Sequence, residues 1–487
     1  MAIETECSAD RTCIVREDTL LEALKEMMRR NAGPDTSPLP PESCIFKVPE
    51  ALRMHNPKAY EPYVVSIGPF HRGRDHEKLQ RPYVVSIGPF HRGRDHEKLQ
   101  RVETVKQWYL DTLLARLHIS SEEFIQRIND ETENGISEFE KQARSFYAEP
   151  LDHSEEEFME IMILDGCFVI HLLWKIVNGE GDDDPILNMD CMFQYVCHDL
   201  LLLENQLPWF VLECLYRLTL GKIHGGPPFS VILTEALSSQ NSLEKFINKT
   251  DQKKESLKKI EESIEKSPLH ILDLIRFFIA LEFEPKKGEP EDMSDSDIPP
   301  ATGLSEAGVK FKKGDSADNL LNIKFVKRDL IIPQLPVSEL TEPLLRNLIA
   351  FEQCYHGRSH RITSYAVFMD KLISSDKDIK LLTEENILAN WLNVEDGSKF
   401  FNSLYIDTTV KKFEYHKLCA NLKTYNRYPW NRHLEEFRRD YCSTPWKVIA
   451  LTVGILLLVV NLMQFLISLQ SSTLFTGIRV NELSADI

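Results

Sequence analysis

Residues 448–469, "VIALTVGILLLVVNLMQFLISL", run without a charge. No other segment restricts the chain as much. Twenty-two residues wound as an α-helix rise about 33 Å, enough to cross a hydrocarbon core of about 30 Å. Fifteen of them are Leu, Ile, Val or Phe, and together they favour lipid by roughly 5–9 kcal/mol. Asn461 and Gln464 oppose insertion without overturning it, since even a charged side chain costs only about 3 kcal/mol on that scale. A buried core helix is the competing reading, but soluble helices of this length rarely lack a charge. The sequence therefore predicts a single transmembrane helix over 446–470 and a short tail over 471–487.

The flanks suggest an orientation. Arg432, Arg438, Arg439 and Lys447 precede the span and Arg479 follows it. The positive-inside rule then places the large N-terminal part in the cytosol, at a plasma membrane or endomembrane, with the tail on the other side. Within the span Gly454, Asn461 and Ser468 recur every seven residues, and Gln464 lies a turn from the last two. On a helix they form one small and polar stripe. Such a stripe favours close helix contact in lipid, which predicts weak self-association or pairing with an unknown membrane protein. An incidental set of tolerated polar residues is the simpler alternative. The start, "MAIETECSADRTCIV", has neither a basic nor an apolar leader region, so no cleaved signal is expected.

The rest of the chain reads as a globular protein. Hydrophobic residues make up 43% and charged residues 27%, which suffices for a large core. A net charge of −18 argues against nucleic acid, which rewards a basic face. Ten cysteines without a CxxC pair suit a reducing compartment. Residues 17–30 place Leu20, Leu21, Leu24, Met27 and Met28 on one helical face, and a Pro-rich linker follows, so 1–43 precedes the main domain at 44–445. Residues 155–177 predict a helix too polar to span a bilayer, because Asp165, His171 and Lys175 interrupt it. Residues 192–220 predict two buried helices meeting near 206–208, with proline in the first turn of the second. Residues 250–266 predict a charged surface helix, and 282–300, rich in Pro, Asp and Glu, a flexible acidic loop. Amphipathic helices follow, then a long helical stem over 407–441. "FKVP", "YVVSI" and "IKFVKRDLIIPQL" are strand candidates. The fold class is mainly α: one large helical domain with minor short strands, plus the transmembrane helix.

One stretch breaks the pattern of a single pass. "PYVVSIGPFHRGRDHEKLQR" occupies 62–81 and again 82–101, with no difference between the copies. Working solenoids need about three repeats or more, so two identical copies read as a tandem duplication, genuine or introduced by a gene-model error.

Sites of chemistry are weakly marked. "GKIHGGPPFS" lacks the phosphate-loop spacing, and neither a GxSxG elbow nor an HExxH pair occurs. Cys354 with His356, and Cys191, Cys197 and His198, lack the second pair that a zinc site needs. Asp165 and His171 predict a hydrogen-bonded core pair. Asn248 is a lone glycosylation sequon. No cofactor, metal or catalytic residue is expected. The enzyme alternative rests on His91, Arg92, Asp95 and His96 of the "HRGRDH" segment, set beside buried acidic helices. A channel subunit would need more spans.

Six ordered blocks, "CIFKVPEALRMHNPKAYEPYVVSIGPFHRG", "FMEIMILDGCFVIHLLW", "DLLLLENQLPWFVLECLY", "ATGLSEAGVKFK", "LLRNLIAFEQC" and "YAVFMDKLISSDKDIKLL", together with the apolar segment after "YCSTPWKVIAL", resemble the plant family called domain of unknown function 247. The resemblance covers about 44–469. It implies a plant, membrane-associated protein with one helical domain and a C-terminal anchor, and it carries over no catalytic residue. Some family members are associated with self-incompatibility loci in grasses, which implies recognition or signalling rather than catalysis. The family pattern holds the "VSIGPFH" block once, followed by a helix like "KLQRVETVKQWYL". One copy is therefore expected in the family position, with the other extruded as an insertion that loop-closure entropy tolerates.

Overall fold

A computed structural model describes residues 42–71, 95–132, 135–181, 184–221, 226–247, 268–280, 297–315, 319–389, 394–427, 437, 440–442 and 444–482. The architecture is mainly α with a few short strands. Its centre is the helix Glu155–Asn178, buried along nearly all of its length beyond the first turn. Local chemistry sets both of its ends. Ser154 and Glu157 form a capping box, and Gly179 closes the helix in the left-handed conformation at φ 69°. Gly166 lets Trp209–Tyr216 approach closely, since a Cβ there would lie 2.5 Å from Leu215 Cδ1. The helix Asp95–Leu117 packs along one side of the central helix, with Phe229–Ser238 and Trp209–Tyr216 also against it. The 155–177 expectation is thus met.

The predicted helix pair over 192–220 forms as Asp190–Leu200 and Trp209–Tyr216, with Pro208 one residue earlier than expected, at the N-cap. Helices Thr341–Cys354, Arg361–Leu372, Asp376–Glu384 and Val394–Leu404 form a second layer, and one continuous core joins it to the first. The "IKFVKRDLIIPQL" candidate is borne out. Lys324–Val326 pairs antiparallel with Asp329–Ile332, which pairs parallel with Lys310–Lys313, and Leu335–Pro336 pairs with Leu388–Ala389.

Other expectations need correction. "FKVP" (46–49) forms no strand, the isolated bridge to Tyr147 being made by the preceding Ile45. "YVVSI" at 63–67 is not a strand, because side chains hold its amides, while its second copy at 83–87 lies outside the described residues. The stem over 407–441 is not helical from its start: 407–415 form no helix and the helix His416–Arg427 follows, while most of 428–441 lies outside the described residues. The last helix, Pro445–Glu482, continues past the predicted span into the predicted tail. The 17–30 and 250–266 helices, most of the 282–300 loop and Asn248 lie outside the described residues.

The duplicated stretch divides between two places. Residues 62–71, from the first copy, pack into the core, while 95–101, from the second, open the helix Asp95–Leu117. Together they reconstitute about one block, and 72–94 lies outside the described residues. Because the copies are identical, deleting 82–101 leaves every described contact with a residue to make it. Such a deletion is expected to change stability by less than about 1 kcal/mol, the scale of loop shortening. Thermal unfolding of the deleted and full chains checks this, and a large loss would show that both copies serve the fold.

Candidate functional site

Three places carry the polar and interfacial chemistry. The first is a buried cradle around residues 63–71. Asp199, fully buried, accepts from the amides of Tyr63 at 2.7 Å and of Val64 and Val65 at 2.8 Å each. Asn205 accepts from Ile67 N at 2.6 Å and donates to Val65 O at 3.0 Å. Asp165 accepts from Gly68 N at 2.8 Å and pairs with Lys106 at 2.7 Å, both side chains having no exposed surface. Glu204 accepts from Val48 N at 2.7 Å and from Arg53, with His71 Nε2 at 3.4 Å. Gly68 is required here: its φ is 73°, and a Cβ would stand 2.8 Å from Gln206 O. The "DLLLLENQL" block thus uses its acids and amides to hold backbone, leaving them little freedom for chemistry.

The second place is a cleft of about 350 Å³ lined by Thr112, Arg116, His171, Lys175 and Glu180. Two turns of Asp95–Leu117 face two turns of the central helix across it. Arg116 donates two bonds to Glu180, at 2.8 and 2.7 Å. Lys175 donates to Asp184 at 2.8 Å, and its ammonium sits 4.4 Å from the Trp108 ring centroid. Tyr109 Oη donates to the other Asp184 oxygen at 2.7 Å. Burial opposes the charge on Asp184, but the bonds from Lys175 and Tyr109 outweigh it and hold the carboxyl below the usual range. His171 Nδ1 lies 2.9 Å from Tyr109 O. The carbonyl can only accept, so this nitrogen carries the proton. Burial, aided by nearby Lys175 and Arg116, pulls the His171 pKa down to about 4 against the opposing bond to Tyr109 O. Asp165 and His171 are therefore not the expected core pair. Both are buried and bonded, but one turns to Lys106 and Gly68 and the other to Tyr109.

His270, also buried, is pulled down to about 4 by burial, with Asp273 opposing. In the unfolded chain both histidines titrate near 6.5, so between pH 6.5 and 4 the unfolded state binds more protons. Their contribution to stability is then complete above about pH 6.5 and falls as pH drops towards 4, by at most about 3 kcal/mol each. Glu61 and Glu149, raised by burial, act in the opposite sense but are partly exposed. Acidification from pH 7 to 4.5 is expected to lower the unfolding midpoint, and His171→Gln to flatten that dependence. An unchanged slope in the variant would contradict this assignment.

The third place is the C-terminal helix. Pro445–Ser468 is long and apolar enough to cross a membrane, and the rest of the chain covers none of its apolar window. Gly454, Asn461, Gln464 and Ser468 all lie on it, and open space surrounds Gly454.

The other sequence candidates are scattered. His91 and Arg92 lie outside the described residues, and Asp95 and His96 open a helix whose side chains are described only from 103. Cys197 is a buried thiol that burial pushes up, while its neighbour His198 bonds Asp199 at 3.0 Å and stacks on Tyr63 at 3.9 Å. Burial raises the Cys354 thiol to about 12, and His356 faces Lys411. Among the described residues no three His, Cys, Asp or Glu side chains gather as metal ligands would. Sequence reading missed the cleft. Its one local signal is the four-residue spacing of Thr112 with Arg116 and of His171 with Lys175.

No solved structure matches the chain. It is 26% identical over 454 residues to UPF0481 protein At3g47200 of Arabidopsis thaliana, covering 88% of this chain and 86% of that protein. It is 22% identical over 508 residues to Putative UPF0481 protein At3g02645 of the same plant, covering 86% and 89%. A model of the plant protein family of unknown function designated domain of unknown function 247 matches residues 45–81 and 74–460, restarting inside the duplicated stretch. With the match extending over most of its length, the chain belongs to this plant family.

Proposed function

We propose that the protein is a membrane-anchored interaction protein without enzymatic activity, held by its C-terminal helix with the helical domain in the cytosol. One observation supports the anchoring: the apolar window within Pro445–Ser468 is uncovered by the rest of the chain. In water, such a surface would be a large exposed apolar liability, whereas in a bilayer it is the favourable solvent contact. The cytosolic placement rests on Arg432, Arg438, Arg439 and Lys447 before the span against Arg479 after it. Partner recognition, of the kind associated with self-incompatibility in some relatives, fits a domain whose buried acids are spent on holding backbone. The Gly454, Asn461, Gln464 and Ser468 stripe supplies a contact for a second copy or another membrane helix.

The test has two arms. Protease added outside sealed vesicles with the cytosolic face inward should leave the domain intact, and digestion there would reverse the topology. Asn461→Leu with Gln464→Leu should weaken association in a membrane two-hybrid assay by a few-fold, at about 0.6–2 kcal/mol per interhelical bond. Insertion should be unchanged, and unchanged association would remove the stripe from the proposal.

A further inference from the structure

The cleft between Asp95–Leu117 and the central helix combines features that the anchor does not explain. Its volume of about 350 Å³ lies at the small end of ligand pockets, which span about 300–1,000 Å³. Its charges balance, with Arg116 against Glu180 and Lys175 against Asp184. A charged ligand would upset this balance. A neutral one can use the atoms that the pairs leave over.

Those atoms are both donors and acceptors. With Nδ1–H given to Tyr109 O, the neutral His171 ring carries its lone pair on Nε2. No hydrogen bond to that nitrogen is seen among the described residues, and His171, with only 1% of the residue exposed, lines the cleft. Lys175 has three N–H, of which Asp184 takes one. Each Glu180 oxygen has a lone pair beyond the bond that it accepts from Arg116. Trp108, under the Lys175 ammonium, leaves 38% of its surface exposed beside this group. An unengaged lone pair lining the same cleft as an ammonium and a carboxylate matches the alternating donors and acceptors of adjacent hydroxyls.

We propose that this cleft binds a small neutral polyol of monosaccharide size, one hydroxyl donating to His171 Nε2 and its neighbours bridging Lys175 and Glu180. Arg116 fixes Glu180 for this role. The ion pairs persist on binding, so the site discriminates against phosphate and other anions.

Saturation-transfer difference NMR of myo-inositol and of glucose tests the proposal, with the full chain in phosphatidylcholine nanodiscs. At least one of the two should give a saturable signal with a dissociation constant of about 1 mM, the scale for so few atoms. Inorganic phosphate should not displace it. His171→Leu should weaken binding at least tenfold. Should that variant fail to fold, Arg116→Met with Glu180→Met, on the half-exposed rim, should weaken binding several-fold. No transfer to either polyol, displacement by phosphate, or undiminished binding in a folded variant would overturn the assignment.

Discussion

Replacing Lys106 by methionine is expected to destabilise the domain by about 3–5 kcal/mol, the cost of leaving one member of a buried ion pair behind. The Lys106 ammonium is 2.7 Å from Asp165, with neither side chain exposed. It also donates to Ser66 O, within the segment that Asp165 holds through Gly68 N. Losing the lysine leaves a buried carboxylate without its counter-charge and a half-buried carbonyl without its donor. Methionine keeps most of the volume, so little of the loss comes from a cavity. The double variant Lys106→Met with Asp165→Asn removes the stranded charge while keeping an acceptor for Gly68 N. It should recover part of the loss, giving a favourable coupling between the two sites. Urea unfolding of the full chain in detergent, followed by tryptophan fluorescence, checks both. A single-variant loss below about 1 kcal/mol would place the pair in the class of solvent-screened bridges.

Asp199→Ala should be of similar severity, roughly 3–5 kcal/mol, for a different reason. One carboxylate accepts from three successive amides, Tyr63, Val64 and Val65, and a stranded donor costs about 1–3 kcal/mol where water cannot replace its partner. The loss should be local before it is global. Amide exchange at 63–65 should accelerate well ahead of exchange in Glu155–Asn178. Asp199→Asn, with its carbonyl in the position that serves Val64 and Val65, should lose less than half as much. If exchange rose uniformly across the domain instead, the carboxylate would be supporting the helical core rather than this segment.

These two variants probe what local pattern could not convey. "YVVSI" has the β-branched and aromatic composition of a strand, yet its amides are satisfied by side chains 134 to 138 positions away. Propensity describes what a segment would do on a pleated surface, and among the described residues no neighbouring strand pairs with 63–67. Asp165 and His171 were correctly placed in an apolar helix, but their partners come from Asp95–Leu117, whose docking face the 155–177 pattern does not contain. The cleft illustrates the same limit. Thr112 with Arg116, and His171 with Lys175, each lie one turn apart, so their sharing a face follows from helical geometry.

The sequence by itself determined what depends on neighbours along the chain. It set the 3.6-residue pattern of the central helix, the strand character of "IKFVKRDLIIPQL", and an uncharged C-terminal segment that reads the same in any context. Tertiary structure decided where the described parts of the duplicated stretch lie, where the acids of "DLLLLENQL" spend their lone pairs, and which two helix faces meet across the cleft. The physical reason is range. Propensities and caps act within about a turn, whereas a buried polar group takes its partner from whatever packing brings within hydrogen-bond distance, here commonly more than a hundred residues away.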